Sequence, residues 1–129
     1  YLERNMLMRK LLAALAITIF GLGVAPAQAN EARKSVVLIN TFTVPVEQID
    51  ATIAMWEIAR DFLKTRPGYI STKLHRSLSP EAKYLLINVA QWESPEAYKA
   101  ATVLMRKEAN LPKIEGVVPG PGLYEVIRD

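Results

Sequence analysis

The segment PGYISTKLHRSLSPEAKYLLINVAQWESPEAY, Pro67 to Tyr98, decides the architecture of this 129-residue chain. It opens on Pro67-Gly68, a helix stop. A strand-like run from Tyr69 to Leu78 follows, then a polar turn at Ser79-Pro80-Glu81, then a second run from Lys83 to Trp92. Two such runs joined by a short polar turn predict a β-hairpin. The second run enters a helix through Ser94, a good N-cap, and Pro95, which suits the first helical position.

The flanks complete the pattern. Upstream, Ser35 to Thr43 alternates as a strand. Pro45 then opens a helix in which Ile49, Ile53, Trp56, Ala59 or Arg60, and Leu63 recur at helical spacing. Glu47 and Asp50 come early in it and Lys64 and Arg66 late, as the helix dipole favours. Downstream, Pro95 to Glu108 carries an apolar stripe of Ala97, Ala101, Leu104 and Met105, and Asn110-Leu111-Pro112 breaks it. Pro119-Gly120-Pro121-Gly122 reads as a stiff turn before a last strand, Leu123 to Ile127. The order β-α-β-β-α-β predicts an α+β, ferredoxin-like domain, a four-stranded antiparallel sheet with two helices on one face.

Strand patterning adds a partner. In the first strand Val36, Leu38, Asn40 and Phe42 share one face and Val37, Ile39, Thr41 and Thr43 the other. In the second, Ile70, Thr72, Leu74, Arg76 and Leu78 oppose Tyr69, Ser71, Lys73, His75 and Ser77. The third has no wet face, which implies cover on both sides. Helices cover one face only, so a second copy is expected on the other, a homodimer packed sheet to sheet.

Composition narrows the classes. Arg9 and Lys10, the apolar run Leu11 to Val24 and Ala27-Gln28-Ala29 predict a signal peptide over residues 6–29 and a single domain over 30–129, periplasmic or secreted. The 14-residue apolar run is shorter than the roughly 18 residues of a membrane span, so no stable anchor is expected after cleavage. Removing residues 1–29 leaves 13 basic and 12 acidic residues, a net charge of +1, with no basic face for nucleic acid. There is no cysteine and one histidine, so thiolate chemistry is excluded and metal ligands are scarce. Glycine-rich phosphate loops and nucleophile elbows are absent from the sequence.

Leu38-Ile39-Asn40 followed by Val44-Pro45, Arg66-Pro67-Gly68-Tyr69, Leu74-His75-Arg76-Ser77-Leu78 and Asn88-Val89-Ala90-Gln91-Trp92-Glu93-Ser94 together resemble the antibiotic biosynthesis monooxygenase domain. The resemblance covers Val36 to Ile127, and the pattern from Trp92 to Ala97 is its most specific piece. It implies a dimeric α/β barrel with a pocket between sheet and helices. It also implies oxygenation of aromatic compounds without metal or flavin, haem degradation or quinol oxidation, as in different branches of the family. Two departures stand out. Ala101 occupies the position where many members carry a histidine. The haem-degrading branch uses an Asn on the first strand, a Trp on the second helix and a later His. Asn40 matches the first, but Ala101 stands at the second and no His follows His75.

The chemistry that these residues allow is cofactor-free. A base removes an acidic proton from an anthrone or hydroquinone, and the resulting anion reacts with oxygen in a dry aromatic pocket. His75 has the suited pKa for the base, or else lies in the dimer interface or at a strand edge. Asn40, an amide among apolar residues, is the candidate donor or else makes a ladder-side bond; Asn88 is similar. Trp56 and Trp92 suit pocket walls and equally suit the core. Arg76 can steer an anionic substrate or pair with Glu57 or Asp61. The expectation is a cofactor-independent monooxygenase of a small aromatic or quinol-like compound. The alternative is a non-enzymatic periplasmic small-molecule-binding or stress protein, with haem binding or degradation a third reading.

Overall fold

The computed structural model describes residues 35–129. The leader expected at Met6–Ala29 and the linker after it lie outside the described residues. Four strands and two helices follow in the order β1 (Val36–Thr43), α1 (Ile49–Leu63), β2 (Tyr69–Arg76), β3 (Leu86–Trp92), α2 (Pro95–Glu108) and β4 (Val118–Tyr124). The sheet order is β2-β3-β1-β4 with all neighbours antiparallel, the ferredoxin-like arrangement. Among the described residues no helix is long and apolar enough to cross a membrane.

The most apolar strands sit in the middle of the sheet. In β1 and β3, Val36 pairs with Trp92, Leu38 with Ala90, Asn40 with Asn88 and Phe42 with Leu86. All eight point to the helix-covered face. Val37, Ile39, Ile87 and Val89 point the other way and are half-buried.

The hairpin connection is longer than the sequence pattern suggests. β2 ends at Arg76 and β3 begins at Leu86, although Ser77 N still donates to Leu85 O at 2.9 Å. A register shift between Tyr69 and Ser71 sets Tyr69 opposite Trp92. This moves Tyr69 off the face of Ser71, Lys73 and His75 where simple alternation puts it. An extra residue in one strand reverses the side-chain phase beyond it.

Helix boundaries follow local chemistry. The chain enters α1 through a single 3₁₀ turn, Val46–Gln48, in which Gln48 N donates to Pro45 O at 2.9 Å. Gly68 ends the exit from α1 at φ +86°, a conformation that side chains disfavour, and a Cβ there would collide with Ala97. Ser94 Oγ accepts from Ala97 N at 3.1 Å and Pro95 starts α2, as expected of that cap.

The last strand corrects the sequence reading. Pro119-Gly120-Pro121-Gly122 is not a turn but most of β4, with Phe42 opposite Pro119 and Asn40 opposite Pro121. β4 is an edge strand, where proline is tolerated if its nitrogen faces away from the ladder. Gly120 N faces β1 and donates to Asn40 Oδ1 at 3.1 Å. Pro119 and Pro121 are one residue out of phase with it and present their nitrogens outward.

The core forms two clusters on the helix side of the sheet. Leu38, Ala90, Trp92 and Ala101 make one, and Phe42, Val44 and Leu86 make the other. On β1, Asn40 lies between Leu38 and Phe42. On β3, Asn88 lies between Ala90 and Leu86. The polar pair therefore marks the gap between the two clusters.

Candidate functional site

That gap is a cavity of about 320 Å³, walled by the sheet, α1 and α2. The volume lies at the lower end of the roughly 300–1,000 Å³ typical of small-molecule sites. Asn40 and Asn88 lie on its floor as direct cross-strand partners. Trp56 from α1, and Trp92, Tyr69 and Tyr98 around the other cluster, supply aromatic walls. The last three pack edge-on, with centroids 5.6 Å apart for Tyr69–Trp92 and 5.8 Å for Trp92–Tyr98.

The two amides are held by their oxygens. Asn40 Oδ1 accepts from the Gly120 amide, a group that can only donate, which fixes the amide orientation. Asn88 is 8% exposed, and its Oδ1 accepts from Thr72 Oγ1 at 2.6 Å. Among the described residues no buried side-chain polar atom lacks a partner. The Asn88 NH2 group has no acceptor among the described residues, and Asn88 lines the cavity. Asn40 and Asn88, side by side in the lining of an apolar, aromatic enclosure with their oxygens already taken, can offer N–H groups to an oxygen that carries or develops negative charge.

Two cations line the cavity without an acid. The Arg60 guanidinium lies 5.2 Å from the Trp56 ring centroid, and its Nε bonds Asp61 at 3.1 Å. Lys64 meets the same carboxylate at 3.3 Å. Arg60 first and Lys64 second hold the Asp61 carboxyl below its ordinary range. Arg106 on α2 is the other cation. Burial pushes the Tyr98 hydroxyl above its ordinary value, and the nearby charge of Arg106 opposes that push.

Four of the residues singled out in the sequence, Asn40, Trp56, Asn88 and Trp92, come together here. His75 and Arg76 do not. His75 pairs with Ile87 on the face away from the helices, is exposed, and has Nδ1 3.3 Å from Ile87 O. Arg76 is exposed outside the cavity lining, and Asp61, one of the two partners expected for it, is taken by Arg60 and Lys64. Tyr69, Thr72, Tyr98 and Arg106 are lining residues that the sequence reading did not select. The spacing of Tyr98, Thr102, Met105 and Arg106 along α2 carries that signal; the bulge hides Tyr69.

Comparison with known proteins agrees with the fold. Residues 35–103 match the model of the family described as antibiotic biosynthesis monooxygenase, and the chain belongs to that family. A candidate monooxygenase from Shewanella loihica PV-4 is 43% identical, with a TM-score of 0.69 over 75% of this chain and 98% of the other. SnoaB, a cofactor-independent oxygenase from Streptomyces nogalater, shares the fold at 20% identity, with a TM-score of 0.57 over 74% and 95% of the two chains. The haem degrader MhuD from Mycobacterium tuberculosis, with two haems in its active site, does so at 22% identity, with a TM-score of 0.57 over 73% and 97%. No curated protein matches the sequence.

The lining offers a haem iron no imidazole or thiolate, and the thioethers of Met55 and Met105 are its soft donors. The single histidine lies off the cavity, and the chain has no cysteine. Tyr98 lines the cavity, but its partial burial raises its pKa, which disfavours the tyrosinate that iron ligation requires. Among the described residues no three His, Asp or Glu side chains gather to hold a metal ion.

Proposed function

We propose that the cavity carries out a cofactor-independent oxygenation of a small aromatic compound bearing a ring carbonyl or phenolic oxygen. The observation that carries this reading is the Asn40–Asn88 pair, two amide donors on the floor of an aromatic enclosure. An anthrone placed with its carbonyl on these donors loses a ring CH2 proton to become an enolate. The amides stabilise the charge that forms on oxygen. The electron-rich carbon then adds dioxygen to give a peroxide, which takes up a proton and loses water, so that CH2 and O2 become C=O and H2O. Trp56, Tyr69 and Trp92 hold the ring plane and keep water from the anion.

The lining offers no carboxylate or imidazole. Ionisation therefore rests on stabilising the substrate anion, with solvent at the cavity mouth accepting the proton. This implies a rate that rises with pH as the bound substrate ionises, rather than one that levels off near the histidine value of about 6.5. The same lack of a base favours a second reading, binding without turnover in a transport or stress role. Oxygen uptake measured across a panel of anthrones and hydroquinones separates the two. Saturable uptake that Asn40→Ala reduces supports the oxygenase, whereas tight binding of the panel with uptake at the background rate sinks it.

A further inference from the structure

The two floor amides differ in what holds them. Asn40 Oδ1 faces the Gly120 N–H, which can only donate, so its amide has one orientation. Asn88 Oδ1 faces the Thr72 hydroxyl at 2.6 Å, and a hydroxyl both donates and accepts. The outermost torsion of an asparagine is broad and roughly two-fold, so a half turn exchanges its oxygen and nitrogen within the same space. After that turn the Asn88 NH2 group donates to Thr72 Oγ1, and the Asn88 carbonyl takes the place that the NH2 group held. The Thr72 proton is not stranded, because Thr72 is half-buried on the edge strand β2 and its hydroxyl can rotate toward water. Asn40 has no such second state, since a half turn would set its NH2 group against the Gly120 N–H.

We infer that Asn88 and Thr72 form a hydrogen-bond switch, which presents the cavity with a donor or an acceptor according to the protonation state of the oxygen bound there. The inference rests on the oxygenase reading for the place of that oxygen, and it adds how one site holds the oxygen before and after its proton leaves. A phenolic hydroxyl is met by the Asn88 carbonyl. Once the proton has passed to solvent, the half turn brings the NH2 group to the anion, beside the fixed amide of Asn40. Thr72 is the positioning residue. It pairs with Asn88 in both states, so an amide only 8% exposed keeps a protein partner throughout.

Binding under nitrogen tests this apart from turnover. The probes are 2,3-dimethyl-1,4-naphthoquinone and its hydroquinone, which share ring and size. The first only accepts hydrogen bonds and the second also donates them. Calorimetric titration of the wild-type protein is expected to give affinities within about threefold of each other, since Asn88 offers each probe a matching group. A quinone preference of about tenfold or more, the mark of two fixed donors, overturns the inference. Asn88→Leu keeps the size of the side chain and should weaken both probes alike, by about fivefold, as for one net hydrogen bond. A loss confined to the quinone overturns the inference. Nuclear Overhauser contacts of the wild type read the switch directly. The Asn88 NH2 protons should contact the ligand methyls in the quinone complex and the Thr72 methyl in the hydroquinone complex, while the Asn40 amide keeps its orientation in both. An Asn88 amide in the same orientation in both complexes overturns the switch whatever the affinities, as does binding of neither probe. A switch seen by these contacts, with no oxygen uptake on any anthrone or hydroquinone, sinks the oxygenase alone. Uptake with Asn88 fixed sinks the switch alone.

Discussion

At the scale of single residues, the two floor asparagines do different work for the same reason. Each spends its oxygen on the protein, and each lines the cavity. Asn40→Asp is the sharpest probe of that division. The aspartate still accepts from Gly120 N, but it replaces the donor by a second acceptor and sets a negative charge against the enolate. We expect kcat/KM to fall by about 10²-fold or more with the melting temperature nearly unchanged, as for the loss of an oxyanion donor. A variant that keeps full rate would remove Asn40 from the chemistry. His75→Ala, by contrast, should leave the rate intact, since the imidazole lies on the opposite face; a large fall in turnover would restore it as the base.

Tyr98 gives a pH signature. Below about pH 10 the phenol is neutral in the folded and unfolded chain alike and its packing counts in full. As pH rises further the unfolded chain ionises while the buried phenol resists. The folded state then holds more protons, and stability falls as pH passes through the raised folded value. Tyr98→Phe should flatten the alkaline decline of the melting temperature above about pH 10. An identical decline in the variant would show that another group is responsible.

Among these side chains, the amides were the legible ones. An asparagine inside Leu38 to Phe42, or between Leu86 and Ala90, is costly in an apolar strand unless its amide finds a partner. His75 was selected for its pKa, a property of the residue type that says nothing of place. Its face of β2 was correctly separated from that of Leu74. Which face the helices cover was not legible, because β1 and β3 are apolar on both.

At the scale of elements, punctuation was read well where it acts alone and poorly where tertiary pairing overrides it. Ser94-Pro95 specifies the start of α2 by local hydrogen bonding, and the structure shows that cap. Ser94→Ala should cost about 1 kcal/mol in chemical denaturation. No change would mean that Pro95 and the packing of Ala97 suffice. The Pro-Gly repeat before Leu123 carries every local mark of a turn. It is a strand because the long-range partner β1 satisfies Gly120 while the prolines face outward, a pairing that no local window contains. The shift at Tyr69–Ser71 escaped for the same reason, since a bulge is visible only against its partner strand.

At the scale of the whole molecule, Val37, Ile39, Ile87 and Val89 form an apolar patch on the face that the helices leave uncovered. Contiguous exposed patches of this kind mark association surfaces. We expect light scattering to give twice the protomer mass. Ile87→Lys should yield monomers that still bind an anthraquinone, because the cavity lies on the other side of the sheet. A wild-type monomer would refute sheet-to-sheet pairing.

The hydrogen bond from Gly120 to Asn40 joins residues 80 apart in the chain. Such a contact closes late, because a long loop must be ordered before the contact rewards it. Loss of β4 would therefore leave the Asn40 amide without the Gly120 donor that orients it, while Asn88 would keep its bond to Thr72 within the β2–β3 hairpin.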